Sequence, residues 1–380
     1  MNAPIDTPLS LYIHIPWCVR KCPYCDFNSH AQRDELPEQA YTAALLEDLE
    51  QELKDAGGRP IESIFIGGGT PSLFSSETLS AILDGVRQRA DLVDMAEITM
   101  EANPGTFEQQ RFAGFREAGV NRLSIGVQSF STEQLIALGR IHNGEEAYSA
   151  ISAARAIGFD NINLDLMHGL PGQNVELALH DLNTAISLEP DHLSWYQLTI
   201  EPNTEFNARP PTLPVDEILW DIQEQGMARL SEAGYQQYEV SAYAKPGRQA
   251  RHNLNYWQFG DYIGIGAGAH GKLSSQEDGI ITRRWKQKQP KAYMTAEGRF
   301  GGEQHLTADE LPFEFMLNAL RLTDGFSLEL FTQRTGLKLS SVQPQLDEAI
   351  AKDLLEQQGP LIRPTTHGRL FLNNLIELFL

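Results

Sequence analysis

Cysteine is scarce: three in 380 residues, all within Cys18-Val-Arg-Lys-Cys22-Pro-Tyr-Cys25. A disulfide framework is excluded, because one pair leaves a thiol over and paired cysteines suit a secreted chain. Three cysteines cannot complete a zinc site built of four thiolates, and no histidine lies nearby at finger spacing. No Cys-x-x-Cys-His occurs, so covalent haem attachment of the c type is excluded. Positive charge is also short. Thirty Lys and Arg against 51 Asp and Glu give a net charge of −21, which argues against a nucleic-acid backbone as partner. No apolar run approaches the ~20 residues of a membrane span. The start, Met1 to Pro8, lacks the basic region and apolar run of a signal peptide. The expected location is the cytoplasm, where thiols stay reduced; transient contact with a membrane is compatible with all of this.

What is present is a trio of soft ligands in one short loop. Thiolates at Cys-x3-Cys-x2-Cys spacing can hold three irons of a [4Fe–4S] cube and leave the fourth for a substrate or cofactor. Chance clustering of buried thiols is the alternative that composition alone leaves standing.

Hydrophobic residues make up 41% of the chain, ample for one large domain and a smaller one. The pattern predicts strands at 11–15, 63–66, 97–101, 122–128, 161–166 and 192–200. Helices are predicted at 45–53, 79–86, 108–118, 132–138, 145–157 and 175–188. Alternation of this kind specifies an α/β fold with a parallel sheet. Six units are too few for eightfold closure, so the expectation is an open, partial (βα)6 barrel of the TIM type, with chemistry at the C-terminal strand ends. The cysteine loop follows the first strand and Gly67-Gly-Gly-Thr70-Pro71 ends the second. Glu101, Gln128 and Asp165 stand at or near the ends of the third, fourth and fifth, and Glu201 follows the sixth. Polar groups gathered at one end of apolar strands are costly unless they bind something.

The barrel core is assigned to 1–205 and an extension to 206–300. The extension carries a helix near 216–233, one added strand at 238–243, a polar aromatic loop at 251–257 and a glycine-dense stretch at 262–270. Residues 301–380 form a small winged-helix-like domain, with helices near 308–322, 327–335 and 341–357. β-like segments at 361–364 and 368–372 and a last apolar helix complete it. Its 6 Lys and Arg against 11 Asp and Glu favour packing or a lid over DNA binding.

The cysteine loop after a first strand, with Tyr24 before the last cysteine, resembles the radical S-adenosylmethionine (SAM) superfamily. The resemblance implies a [4Fe–4S] cluster on Cys18, Cys22 and Cys25, with SAM on the free iron. It places Gly68, Gly69 and Thr70 at the methionine amino end, Tyr12 beside SAM and Tyr24 against the adenine. Glu101, Gln128, Arg140 and Asp165 match further SAM-contacting positions. Arg140 can fork onto the carboxylate, and Glu101 and Asp165 can accept from the amino group and ribose hydroxyls.

Within that superfamily the chain is similar to the coproporphyrinogen-oxidase-like branch, through Leu11–Asn28, Gly67–Pro71, Glu101–Gly105, Gly126–Ser129, Gly139–His142, Asp165–Gly172 and the tail. It departs from the anaerobic oxidase at Phe27, where that enzyme has a fourth cysteine, and in having few residues before the first strand. His252-Asn253-Leu-Asn-Tyr256-Trp257 is the HNxxYW pattern of the HemW group, described as haem chaperones. The resemblance implies haem bound through His252, with Tyr256 and Trp257 walling the macrocycle, and delivery to respiratory haem proteins. His270 is a second candidate ligand. No catalytic residue is assigned. The competing expectation is oxygen-independent decarboxylation of coproporphyrinogen III.

Overall fold

The computed structural model describes residues 7–105 and 109–380. Six parallel strands run through the first half: β1 (Leu9–Ile15), β2 (Ile61–Gly68), β3 (Leu92–Ala102), β4 (Arg122–Gln128), β5 (Ile162–His168) and β6 (His192–Gln197). Each pairs in parallel with the next. Between them come α1 (Glu38–Glu52), α2 (Ser76–Arg87), α3 (Phe112–Ala118), α4 (Thr132–Ala137), α5 (Gly144–Ile157) and α6 (Val175–Ser187). Of the helix expected at 108–118, residue 108 lies outside the described residues.

Leu9, Leu11, Ile13 and Ile15 alternate with Ser10, Tyr12 and His14 in β1, and Leu123, Ile125 and Val127 with Ser124, Gly126 and Gln128 in β4, so each strand has one apolar face for the helices to cover. Leu9, Leu11, Ile13 and Ile15 of β1 are buried together with Ile64 and Ile66 of β2. Helix starts are written locally. Ser75 accepts from the Thr78 amide before α2, and Asn143 with Glu146 forms a reciprocal capping box before α5.

The sheet stays open and continues at both ends. After α7 (Asp216–Glu232) come β7 (Gln236–Glu239) and β8 (Ala242–Ala244), a short antiparallel pair beside β6. The single strand expected at 238–243 is thus two strands around a turn. Helix α8 (Arg251–Trp257) replaces the expected loop. Strand β9 (Asp261–Ile265) then adds in parallel to the free side of β1, a seventh parallel strand that the glycine-dense stretch concealed. Strands β10 (His270–Ser274), β11 (Ile281–Lys286) and β12 (Phe300–His305) extend that edge antiparallel. Among the described residues the order is β12-β11-β10-β9-β1-β2-β3-β4-β5-β6-β8-β7.

The tail has helices at Leu311–Ala319, Leu328–Thr335 and Gln343–Ala351 and a small antiparallel sheet of Phe326–Ser327, Leu361–Pro364 and Leu355–Gln358. The expected helix to 357 stops at Ala351, and the β-like 368–372 is helical turn instead. The tail core takes in Phe259 and Ile281 from the extension, so the two parts share apolar contacts. No helix among the described residues is long and apolar enough to cross a membrane.

Candidate functional site: two adjoining cavities

A cavity of about 610 Å3 opens where the parallel strands end. Cys18, Cys22, Tyr24, Cys25, Gly68, Gly69, Thr70, Glu101, Gln128, Arg140 and Asp165 all line it. These residues span nearly 150 positions of sequence, yet each stands in a loop or strand end that the parallel topology carries to the same face.

The cysteine loop is held at its base by main chain. The Gly69 amide donates to the Ile15 carbonyl at 2.8 Å and the Thr70 amide to the Trp17 carbonyl at 2.7 Å. A Cβ on Gly69 would stand 2.5 Å from that Trp17 oxygen, and one on Gly68 2.4 Å from the His14 ring. Gly68 also has a φ of 111°, a conformation side chains resist. The third amide of the turn, Gly68, donates to Glu101 Oε2 at 3.0 Å. All three amides are therefore used inside the protein. The loop's far end is fixed by Asn28, whose Nδ2 donates to the carbonyls of Ala267 and Lys288.

Polar side chains in the cavity are oriented by one another. Arg140 Nη2 donates to Asn103 Oδ1 at 2.7 Å and to the Gly126 carbonyl at 2.8 Å, while Nη1 reaches Cys22 Sγ at 3.8 Å. Asn103 donates in turn to Thr70 Oγ1 at 3.2 Å. Tyr196 donates to Gln128 Oε1 at 2.9 Å, and Gln128 itself has a φ of 68°, a strained backbone of the kind found at binding sites. Asp165 accepts from Ser124 and Asn163 at 2.9 and 2.8 Å. Asn103 and Tyr196 were missed from sequence. Asn103 stands two residues past Glu101 in a segment already singled out; nothing in the sequence marked Tyr196.

Electrostatics show what the cavity suits. Burial, with Asp165 nearby, pushes the Glu101 carboxyl up to about 7. Burial also raises Asp165 above the usual carboxylate range, against the hydrogen bonds of Ser124 and Asn163. Two buried acids in one cavity fit a cationic ligand, which would let both ionise. Burial likewise raises the thiols of Cys18 and Cys25; bound metal would reverse this by taking the thiolate. Three soft donors beside a cation-seeking pair of carboxylates thus fit a metal cluster and a positively charged cofactor.

Behind Gly68 and Glu101 lies a second cavity of about 550 Å3. Tyr12 lines this one rather than the first, with Phe65, Tyr256, Trp257, Tyr262 and His270. Phe27, Gly68, Glu101 and Trp257 border both cavities. The imidazole of His14 also lines the second cavity. Its Nε2 donates to the Asn28 carbonyl at 2.9 Å, so Nδ1 accepts from the Tyr12 hydroxyl at 2.7 Å, and burial lowers its pKa to about 4.

Helix α8, the HNxxYW segment, helps to wall both cavities. Its N-terminus is anchored by Glu97, whose Oε1 accepts from the Arg251 amide at 2.9 Å and from His252 Nδ1 at 3.3 Å. The His252 ring stacks on Phe65 with centroids 4.3 Å apart. It is buried and lines neither cavity. The ring is thus held between Glu97 and Phe65, and Phe65 is itself a lining residue of the second cavity. Asn253 does reach the first cavity, and a hydrogen-bonded chain starts from it. Asn253 Nδ2 donates to Tyr238 Oη at 3.2 Å and Tyr238 to His192 Nε2 at 2.8 Å. His192 Nδ1 donates to Asn163 Oδ1 at 2.6 Å, and Asn163 Nδ2 to Asp165.

Comparison with known proteins matches residues 12–184 to the radical SAM superfamily and 306–371 to the HemN C-terminal domain. Over 98% of both chains, the sequence is 57% identical to the "Heme chaperone HemW" of Escherichia coli and 54% identical to that of Haemophilus influenzae. The chain belongs to the HemW family. The E. coli coproporphyrinogen III oxidase HemN, described as a radical SAM enzyme, superimposes with a TM-score of 0.81 at 25% identity, covering 98% of this chain and 90% of that one. The open α/β sheet with a C-terminal domain is thus the radical SAM architecture. Membership of that superfamily by the HemW family implies a [4Fe–4S] cluster and SAM, the two groups that the cavity's donors fit.

Proposed function

We propose that this protein binds haem beside a cluster-and-SAM site and delivers it to respiratory haem proteins. The observation that carries this reading is the pair of adjoining cavities in a chain 57% identical, end to end, to a named haem chaperone. One cavity is polar and thiol-lined. The other is walled by aromatic rings and large enough for a cofactor-sized ligand.

In the first cavity Cys18, Cys22 and Cys25 hold the cluster. When bound, the cluster and SAM supply one-electron chemistry at a sulfonium. The chain's own residues bind and orient. Arg140, fixed by Asn103 and Gly126, forks onto the SAM carboxylate. Glu101 and Asp165 ionise and accept from the amino group and ribose, and Gln128 adds a contact held by Tyr196. Tyr24 covers the adenine. The Gly68–Thr70 turn contributes acceptors and shape, since its amides are spent. Tyr12 acts from the second cavity, on the far side of Glu101. Acceptors, any transient membrane contact and a cytoplasmic setting belong to the same reading.

The test is anaerobic reconstitution followed by haemin titration and transfer to a haem-free respiratory cytochrome, read by the Soret band. Saturable binding with transfer is expected; no saturable binding overturns the reading. The likeness to HemN favours one alternative, decarboxylation of coproporphyrinogen III. Phe27, exposed at the rim shared by the cavities, stands where the oxidase has a cysteine and argues against it. Protoporphyrinogen formed by the reconstituted protein with SAM and a reductant would establish the alternative.

A further inference from the structure

We propose that Phe206 is a positioning residue for the cluster-and-SAM site: from the segment after β6 it braces the Cys22-Pro23-Tyr24-Cys25 turn, and so sets two iron ligands and the adenine-facing tyrosine together. This rests on the cluster-and-SAM reading above.

Two of the three thiols stand at the ends of one four-residue turn, closed by the Cys25 amide donating to the Cys22 carbonyl at 3.2 Å. All four residues of the turn are only partly buried, so its middle is held from outside. The Pro23 carbonyl accepts from the Phe206 amide at 3.0 Å. The Pro23 ring lies so close to Gly139 that a Cβ there would stand 2.8 Å from Pro23 Cδ. The Phe206 ring lies against the Tyr24 ring with centroids 6.3 Å apart, within the range of a favourable aromatic pair.

Phe206 belongs to a small apolar core apart from the main one. It is buried there with Leu138, Met167, Leu170 and Leu198, and Tyr24 and Tyr196 pack against them. This core joins the cluster loop to the turn that carries Arg140 and to the tyrosine that holds Gln128. A satellite core can loosen while the main one stays closed, so a defect in it is felt first at the site. Phe206 lines neither cavity and therefore acts through Pro23 and Tyr24. Its segment is prepared locally: Thr204 accepts from the Asn207 amide at 3.1 Å and donates to the Glu201 carbonyl at 2.6 Å. Glu201, which follows the sixth strand, lines neither cavity and serves this brace through its main chain.

The experiment compares wild type, Phe206→Ala and Phe206→Leu in the full chain, each checked for retained fold by its melting temperature. In the ligand-free chain, amide hydrogen exchange over 18–25 is expected to quicken severalfold in Phe206→Ala, with β1 to β4 exchanging as in wild type. After anaerobic reconstitution, Phe206→Ala is expected to lose iron to a chelator severalfold faster, to shift the EPR signature of the reduced cluster and to bind SAM at least ~10-fold more weakly. Phe206→Leu is expected to fall between the two. A merely structural side chain would lower the melting temperature and leave the exchange, the EPR signature and the SAM affinity of the folded protein as in wild type, and that result overturns the proposal. Should Phe206→Ala fail to fold, Phe206→Leu decides: faster exchange over 18–25 supports the brace, and wild-type exchange with wild-type SAM affinity overturns it. A wild type that takes up no cluster overturns the cluster reading, while the ligand-free exchange still decides the brace.

Discussion

Glu101 shows how one residue's surroundings set its chemistry. Its pKa of about 7, against an ordinary 4.5, means that folding without ligand takes up a proton between those values. The stability it contributes is full below about pH 4.5 and lost as pH rises through 7, on the order of 3 kcal/mol in all. Glu101→Gln should therefore flatten the ligand-free melting temperature across that window and raise it at pH 8, while weakening SAM binding. Thermal melts from pH 4.5 to 8 check both the sign and the window. Gly69 makes a steric counterpart. Its nearest neighbour is the backbone oxygen of Trp17, which cannot swing away. Gly69→Ala is expected to cost about 2 kcal/mol or more, measured by denaturant unfolding, and to lower cluster occupancy measured as iron per chain. Both residues were legible in sequence as strand-end polar or glycine positions. Their partners were not, because Gly68 meets Glu101 across 33 residues and no local pattern encodes that contact.

Among the elements, α8 and β9 carry the most information that the sequence hid. Helix α8 has seven residues, too few for a periodic apolar stripe, and its start is capped by Glu97 from a distant strand rather than by a neighbour in sequence. Strand β9 was obscured by glycines that the fold requires: a Cβ on Gly264 would stand 1.9 Å from the His270 carbonyl oxygen. What fixes β9 is a buried cluster at Asp261, which accepts from Lys272 at 2.7 Å, Arg59 at 2.8 Å and Ser274. Those charges hold its carboxyl below the usual range even though burial opposes them. Asp261→Asn leaves buried Lys272 and partly buried Arg59 under-compensated. It is expected to cost about 3–5 kcal/mol, read from urea unfolding, and to disorder the cavity wall at β10. The chain from Asn253 through Tyr238, His192 and Asn163 to Asp165 links α8 to the SAM cavity. His192→Phe should break it, lowering SAM affinity with little loss of haem signature, as paired titrations would show.

For the molecule as a whole, the strand–helix alternation was legible because apolar residues recur at every second position along most of the parallel strands and at helical spacing between them. The extension was less so, since its strands are short, its glycines serve close approaches and its helix is polar. The tail grips α8 directly: Arg321 lies 4.4 Å above the Trp257 ring and pairs with Glu239, itself a lining residue of the first cavity. Occupancy of the cavities and seating of the tail thus share Trp257 and Glu239. Arg321→Met is expected to raise hydrogen exchange in 311–380 and to lower haem affinity a few fold, from loss of about 1–2 kcal/mol of cation–π and ionic contact. The most direct test of the central claim is transfer itself. Reconstituted protein carrying one haem per chain should load a haem-free respiratory cytochrome faster than free haemin does, seen as a shift of the Soret band between the two proteins. Haem held no more specifically than by an unrelated carrier, or loading no faster than from free solution, would contradict it.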